Sequence, residues 1–241
     1  MKKLLIILIA PALILLSCSS PNSGVDKKYD TTAVENLDEL SETIGKLNSC
    51  SYTLKTIVLK SKDSENTTTH DVYMRGPDKM HIHSKGNNGQ KSYWYNGKQF
   101  AYFSYNKNTY DTIVAPDNII KAIDIIHDKY GIDFPAADFF YPTLTDDIID
   151  NYDQVLSMDD EIVDNVDCAV IEASNNNEVV HIWIEKSSHL PYKMSIENTK
   201  GDNDYYEAVF SNWKLNSTLP DILFEFTPPE NSVRVELKVK N

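Results

Sequence analysis

The stretch Tyr192-Lys193-Met194-Ser195-Ile196-Glu197 alternates apolar and polar residues without a break. Successive side chains of a β-strand point to opposite faces, so Tyr192, Met194 and Ile196 share one side and Lys193, Ser195 and Glu197 the other. A one-residue slip would expose the whole apolar set, which pins both the register and the buried face. The flanks extend the pattern. Residues 179–185 are rich in β-branched and aromatic side chains, a turn at 186–189 leads into Leu190-Pro191, and a third strand is predicted over 205–214 after a polar break at 198–204. The spacing predicts an antiparallel meander with one apolar and one wet face, closing on 219–229.

The rest of the chain is read from the same rules. Strands are predicted over 51–60, 68–75 and 79–84, with Pro77 barring continuity between the last two. Asn96-Gly97 signals a tight hairpin, because both residues tolerate the positive φ of a type I′ turn. Aromatic residues then occupy both faces of the strand that follows, as a sheet covered on both sides requires. Further strands are expected over 109–114, 154–158, 160–163 and 165–172. Thr32 and Glu35 have capping-box spacing ahead of Val34, Leu37, Leu40, Ile44 and Leu47, an amphipathic helix. A second helix starts at Pro116-Asp117, carries Ile119, Ile120, Ile123, Ile126 and Tyr130 as its stripe, and stops at Gly131. Thr145 is expected to cap a short third helix over 146–152. The predicted fold is mainly β with α: a strongly curved antiparallel sheet with these helices packed on one side.

Met1-Lys2-Lys3 and the apolar run 4–16 read as a secretory leader, since the run is short for a membrane span and sits at the start of the chain. It ends Leu15-Leu16-Ser17-Cys18, which resembles the bacterial lipobox. That likeness implies cleavage before Cys18 and lipidation of its thiol. The expected division is a signal peptide over 1–17, a lipidated Cys and flexible tether over 18–31, and one domain over 32–241. A formal net charge of −13 argues against nucleic acid and against adsorption to anionic lipid, because phosphate contacts need Lys or Arg to displace counterions. The membrane partnership therefore rests on the N-terminal lipid anchor.

The sequence holds no nucleophile motif, phosphate loop, dinucleotide fingerprint or His-Glu-x-x-His motif, so no enzyme activity and no cofactor is expected. His81 and His83 share a strand face but lack a third ligand, and no metal is expected. Their apolar neighbours Met80 and Ile82 put the two histidines toward water. The carboxylates Asp159, Asp160, Glu161 and Asp164 lack the glycine and spacing of a calcium loop. Cys50 and Cys168 are the thiols left once Cys18 is lipidated; a disulfide between them and two free buried thiols both fit the sequence.

Several of these pieces together carry a resemblance. Ile182-Trp183-Ile184-Glu185, a turn, Leu190-Pro191 and the alternating strand resemble the C-terminal half of the LolA/LppX group of bacterial envelope proteins. Asp221, Phe224, Phe226, Pro228 and Pro229 follow in the same pattern. The turn Arg75-Gly76-Pro77-Asp78-Lys79 is similar as well, with Gly76 inserted, as are Tyr130-Gly131-Ile132 and Pro135-Ala136-Ala137-Asp138. The likeness is greatest to a family of predicted periplasmic proteins with that fold. It implies a half-open β-barrel whose concave face is covered by helices and holds acyl chains of lipids or lipoproteins. Tyr102, Ile182, Ile184, Tyr192, Met194, Ile196, Tyr206, Ala208 and Phe210 are the expected lining. Cys168 falls where the resembled family often has a cysteine. The alternative is an RseB-like interaction or sensor lipoprotein with an envelope protein as partner and no transported ligand. Ser19 after Cys18 does not resemble the inner-membrane retention signal of enterobacterial lipoproteins, which implies the outer membrane, facing the periplasm.

Overall fold

The computed structural model describes residues 27–60, 64–200 and 204–240. The leader, Cys18 and most of the expected tether lie outside the described residues. In chain order the elements are β1 (Lys28–Tyr29), α1 (Thr31–Gly45), β2 (Ser49–Lys60), β3 (Ser64–Arg75), β4 (Lys79–Gly86), β5 (Gly89–Tyr95), β6 (Gln99–Ser104) and β7 (Thr109–Val114). Then come α2 (Ile119–Tyr130), α3 (Leu144–Asn151), β8 (Gln154–Ser157), β9 (Glu161–Val163), β10 (Val166–Ser174), β11 (Glu178–Glu185), β12 (Leu190–Asn198), β13 (Tyr205–Leu215) and β14 (Val233–Arg234). The strands form one sheet in the order β1-β8-β10-β11-β12-β13-β2-β3-β4-β5-β6-β7-β14, with β9 added beside β10. Its two ends do not pair with each other, so the barrel stays half open. Pairing is antiparallel except at the edges, where the two-residue strands β1 and β14 run parallel to β8 and β7. Such short edge strands leave little template for pairing with another chain.

The three helices lie on the concave face. Ala33, Leu37, Leu40 and Ile44 of α1, Ile119, Ala122, Ile123 and Ile126 of α2, and Leu144 and Ile148 of α3 share one core with the inward side chains of the sheet. The caps differ from the sequence reading at two helices. Asp30, not Thr32, caps α1, accepting from the Thr32 N–H at 3.0 Å. Asp30 also follows directly on β1, which lies within the expected tether. The third helix starts earlier than expected, at Leu144, with Thr143 at its cap and Thr145 buried inside it. For α2, Asn118 caps the start and Gly131 ends it in the left-handed conformation, φ 62°.

Gly97 has φ 84°, whereas neither Asn96 nor Lys98 is left-handed. The turn is therefore the II′ kind, with glycine at the first central position, rather than the I′ kind. Asn96 Oδ1 closes it by accepting from the N–H groups of Lys98 and Gln99.

The stretch on which the meander closes is not itself a strand at its start. Residues Asp221–Phe224 form a 3₁₀ turn, and the chain then crosses the convex face of the sheet. The Arg75 guanidinium donates to the Leu219 carbonyl and the Asp221 carboxylate and lies over the Phe224 ring. Phe226 packs against Trp94, Phe103 and Tyr110. This strap explains the aromatic residues on both faces of β6: Phe100 and Tyr102 belong to the concave core, while Phe103 meets the strap. The same cover keeps His81 out of water, stacked between Tyr73 and Trp94 with ring centroids 5.8 and 4.9 Å away. His83 bonds to Ser92 Oγ and Gln90 Nε2 instead. Among the described residues no cluster of metal-ligating side chains forms.

The disulfide expected as one option is absent: Cys50 and Cys168 are both free and buried. They sit on β2 and β10, four strand positions apart in the sheet. At about 4.8 Å per strand, that separation is far beyond the roughly 7 Å a bridge tolerates between Cα atoms. They also belong to different clusters, Cys50 to the main core and Cys168 to a small convex-face cluster with Val170 and Trp183.

Candidate functional site

The helices close only part of the concave face. Where α1, α3 and the Ala137–Phe140 turn meet the sheet, the inward side chains of β10–β13 are buried in the main core. Five of the residues expected to line a cavity, Ile182, Ile184, Met194, Ala208 and Phe210, are core side chains there, with Ala208 at 0% exposure. Phe210 packs edge-on against Phe139 at 5.5 Å. Tyr192 is on the other face altogether. A β-bulge skips it: Trp183 pairs with Lys193 and Ile184 with Pro191. The extra residue reverses the alternation. Tyr192 consequently packs on the convex cluster with Cys168 and Trp183 and donates its hydroxyl to Asp164 at 3.0 Å.

Beyond the packed half, the sheet and the helices diverge around an open groove of about 720 Å³. Tyr102, Ile196 and Tyr206, three of the expected residues, do line it. Residues not singled out from sequence complete it: Val58, Ile82 and Tyr93 from the sheet, and Ile132, Pro135 and Leu237 from the covering segments.

The strand register orders the floor in rows. The row next to the helices is apolar, with Val72, Ile82, Tyr93 and Tyr102 paired across β3–β6. One row outward the same strands place His70, Ser84, Lys91 and Ser104 side by side. His70 is only 5% exposed. Its Nδ1 lies 2.8 Å from Ser84 Oγ and its Nε2 3.2 Å from Thr56 Oγ1. Burial, then the nearby Lys91 ammonium, pulls its pKa down to about 4 against a weaker opposing pull from Asp71, so the ring is neutral at pH 7. Burial pushes the Tyr93 and Tyr206 phenols up, and they too stay uncharged. The Tyr206 hydroxyl is buried with no hydrogen-bond partner among the described residues.

Ser84 and His70 have the distance of a nucleophile–base pair. Chemistry of that kind needs a basic imidazole oriented by a third group, commonly a carboxylate. Here burial makes the imidazole a weak base, and the hydroxyl of Thr56 stands at its other nitrogen. The arrangement acts as a neutral, hydrogen-bonded floor beneath an apolar wall. Such a surface suits a molecule with a long apolar part and one polar end.

The signals for the residues missed are in the sequence. The inward period of β4 runs on from Met80 and Ile82 to Ser84, and that of β2 from Leu54 to Thr56 and Val58. The polar residues at the ends of these strands interrupt the hydrophobic pattern while remaining on its face.

Comparison with known proteins agrees with this geometry. A family model described as predicted periplasmic protein, DUF2092, matches residues 33–238. Among solved structures, the lipoprotein LppX of Mycobacterium tuberculosis superposes with a TM-score of 0.50 at 13% identity, covering 79% of this chain and 98% of that one. The MucA/MucB complex of Pseudomonas aeruginosa gives 0.49 at 10% identity, over 82% of this chain and 62% of that one. A LolA superfamily protein of Nitrosomonas europaea gives 0.38 at 13% identity, over 80% and 97%. At this identity the likeness to LppX speaks to the fold alone, and the other two superpositions are too loose to add to it. Comparison with curated proteins gives no match.

Proposed function

The chain belongs to the DUF2092 family of predicted periplasmic proteins, and on that premise we propose that it is a non-enzymatic envelope lipoprotein that holds an acyl chain or another hydrophobic ligand in the concave groove. One observation carries this reading: the helices leave about 720 Å³ open against Ile82, Tyr93, Tyr102, Ile196 and Tyr206. Pockets of this size and lining take small apolar ligands, and an apolar wall left uncovered is costly unless something occupies it. No described helix is long and apolar enough to cross a membrane. The proposed attachment is the lipid on Cys18, at the outer membrane and facing the periplasm.

Two experiments test this. Cys18→Ala should release the protein from the membrane fraction; retention to the same extent would remove the anchor from the account. Native mass spectrometry of the protein extracted gently from its own envelope should show a co-purified lipid. Protein that emerges empty and takes up no hydrophobic probe would favour an interaction lipoprotein without a ligand.

A further inference from the structure

Within the groove, the position of Lys91 specifies the polar end of the ligand. Lys91 is the inward residue of β5 in the polar row, between Ser84 on one side and Ser104 on the other. Its amine folds over the Tyr93 ring, 5.4 Å from the centroid, and so points into the groove rather than away from it.

Among the described residues Lys91 meets no carboxylate. The two carboxylates at the groove are otherwise engaged: Asp133 with His127 at 3.0 Å, and Asp204 with a partner of its own. Lys60 at the mouth is partnered too. The chain has 36 acidic residues against 23 Lys and Arg, and a lysine at the groove that meets no acid among the described residues is available to an anion. The neighbours reinforce it. Ser104 brings a hydroxyl donor to the same row, while that of Ser84 is taken by His70, and the exposed Lys107 lines the mouth nearby. A plain hydrocarbon would leave the Lys91 ammonium and the Ser104 hydroxyl facing apolar groups without compensation, which is unfavourable.

We infer that the groove takes a single-chain amphiphile with an anionic head, a carboxylate or a phosphate, held by Lys91 and the flanking Ser104 hydroxyl, with its chain along Tyr93 and Tyr102. A charge-assisted bond between ammonium and oxyanion is stronger than a neutral one and gives the site its direction. The inference rests on the groove being a ligand site, and the test separates the two claims.

The full chain is titrated with a dansyl-labelled undecanoic acid and with its methyl ester, which share a tail and differ in head charge. Wild type should bind the acid about tenfold more tightly than the ester. Lys91→Met should erase that preference by weakening the acid while leaving the ester unchanged, and Lys91→Arg should keep it. Displacement of the acid by oleate or by lysophosphatidate identifies which head is preferred, and either result supports the assignment. Equal binding of acid and ester by wild type, or equal weakening of both by Lys91→Met, overturns the head-group assignment while leaving the groove intact. Displacement by inorganic phosphate alone overturns the amphiphile in favour of an anion site. Binding of neither probe overturns the groove as a ligand site, and this inference with it.

Discussion

Acidification should unlock the groove floor through His70. In the fold its pKa is pulled to about 4, while an unfolded chain leaves histidine near 6.5. The unfolded chain therefore takes up a proton first as pH falls. Stability that is fully present above pH 6.5 is lost progressively toward pH 4, below which this group adds no further slope. Each pH unit in that window costs about 1.4 kcal/mol per such group, so His70 alone accounts for about 2–3 kcal/mol between pH 6.5 and 4.5. His81, held down to about 4 by burial and by His83, adds a second slope in the same window. The control is His70→Gln, whose amide can still bond Thr56 and Ser84 but does not titrate. Urea unfolding of both proteins at several values between pH 7.5 and 4.5 gives the difference in stability at each. The wild-type advantage should shrink by about 2–3 kcal/mol across the range, while the His81 contribution cancels. A difference that stays constant with pH would refute the argument that burial keeps His70 neutral.

Three other substitutions test the frame that shapes the groove. Ala208→Trp enters packed core, because Ala208 is fully buried between Met194 and Thr56 on neighbouring strands; overpacking should cost about 1–3 kcal/mol or more, read as a lowered melting temperature. Gly97→Val forces a β-branched side chain into positive φ and drives its Cβ into the Asp78 carboxylate, so a loss of about 1 kcal/mol or more is expected by the same measurement. Asp111→Ala removes the carboxylate that accepts from Arg234 Nε at 3.0 Å and from the Thr112 and Leu237 N–H groups at 2.8 Å each. The segment carrying Leu237 should then become cleavable by added protease well before the sheet does, and cleavage no faster than in wild type would contradict its role as a tether.

Much of the frame is legible in the residues. The alternation in β12, the glycine of the β5–β6 hairpin, the Gly131 stop and the apolar stripes of α1 and α2 lead directly to a curved sheet with helices on one face. Local deviations account for what was misread. Tyr192 looked inward because alternation presumes an unbroken ladder, and the bulge beside Pro191 breaks it. Ala208 looked like open space because a small residue between Tyr206 and Phe210 signals either a groove or close packing, and the helices opposite decide which. Phe224 and Phe226 were legible only as the close of the meander, and Arg75 and the aromatic residues of β5–β7 draw them across the convex face. The groove's polar row stayed hidden because hydrophobic periodicity does not weigh polar residues on an inward face. Its members come together only through the register of β3 to β6.

The central claim is that the open half of the concave face is a ligand surface, and Val58→Trp tests it most directly. Val58 points inward beside Tyr206, lines the groove and is only half-buried, unlike Ala208. An indole there should occupy ligand space at little structural cost, changing stability by less than about 0.5 kcal/mol. Thermal unfolding and uptake of a fluorescent fatty acid are measured on the same preparation of wild type and variant. The account predicts an unchanged melting temperature with probe affinity reduced about tenfold or more. Wild-type affinity retained by a stably folded Val58→Trp protein would contradict it.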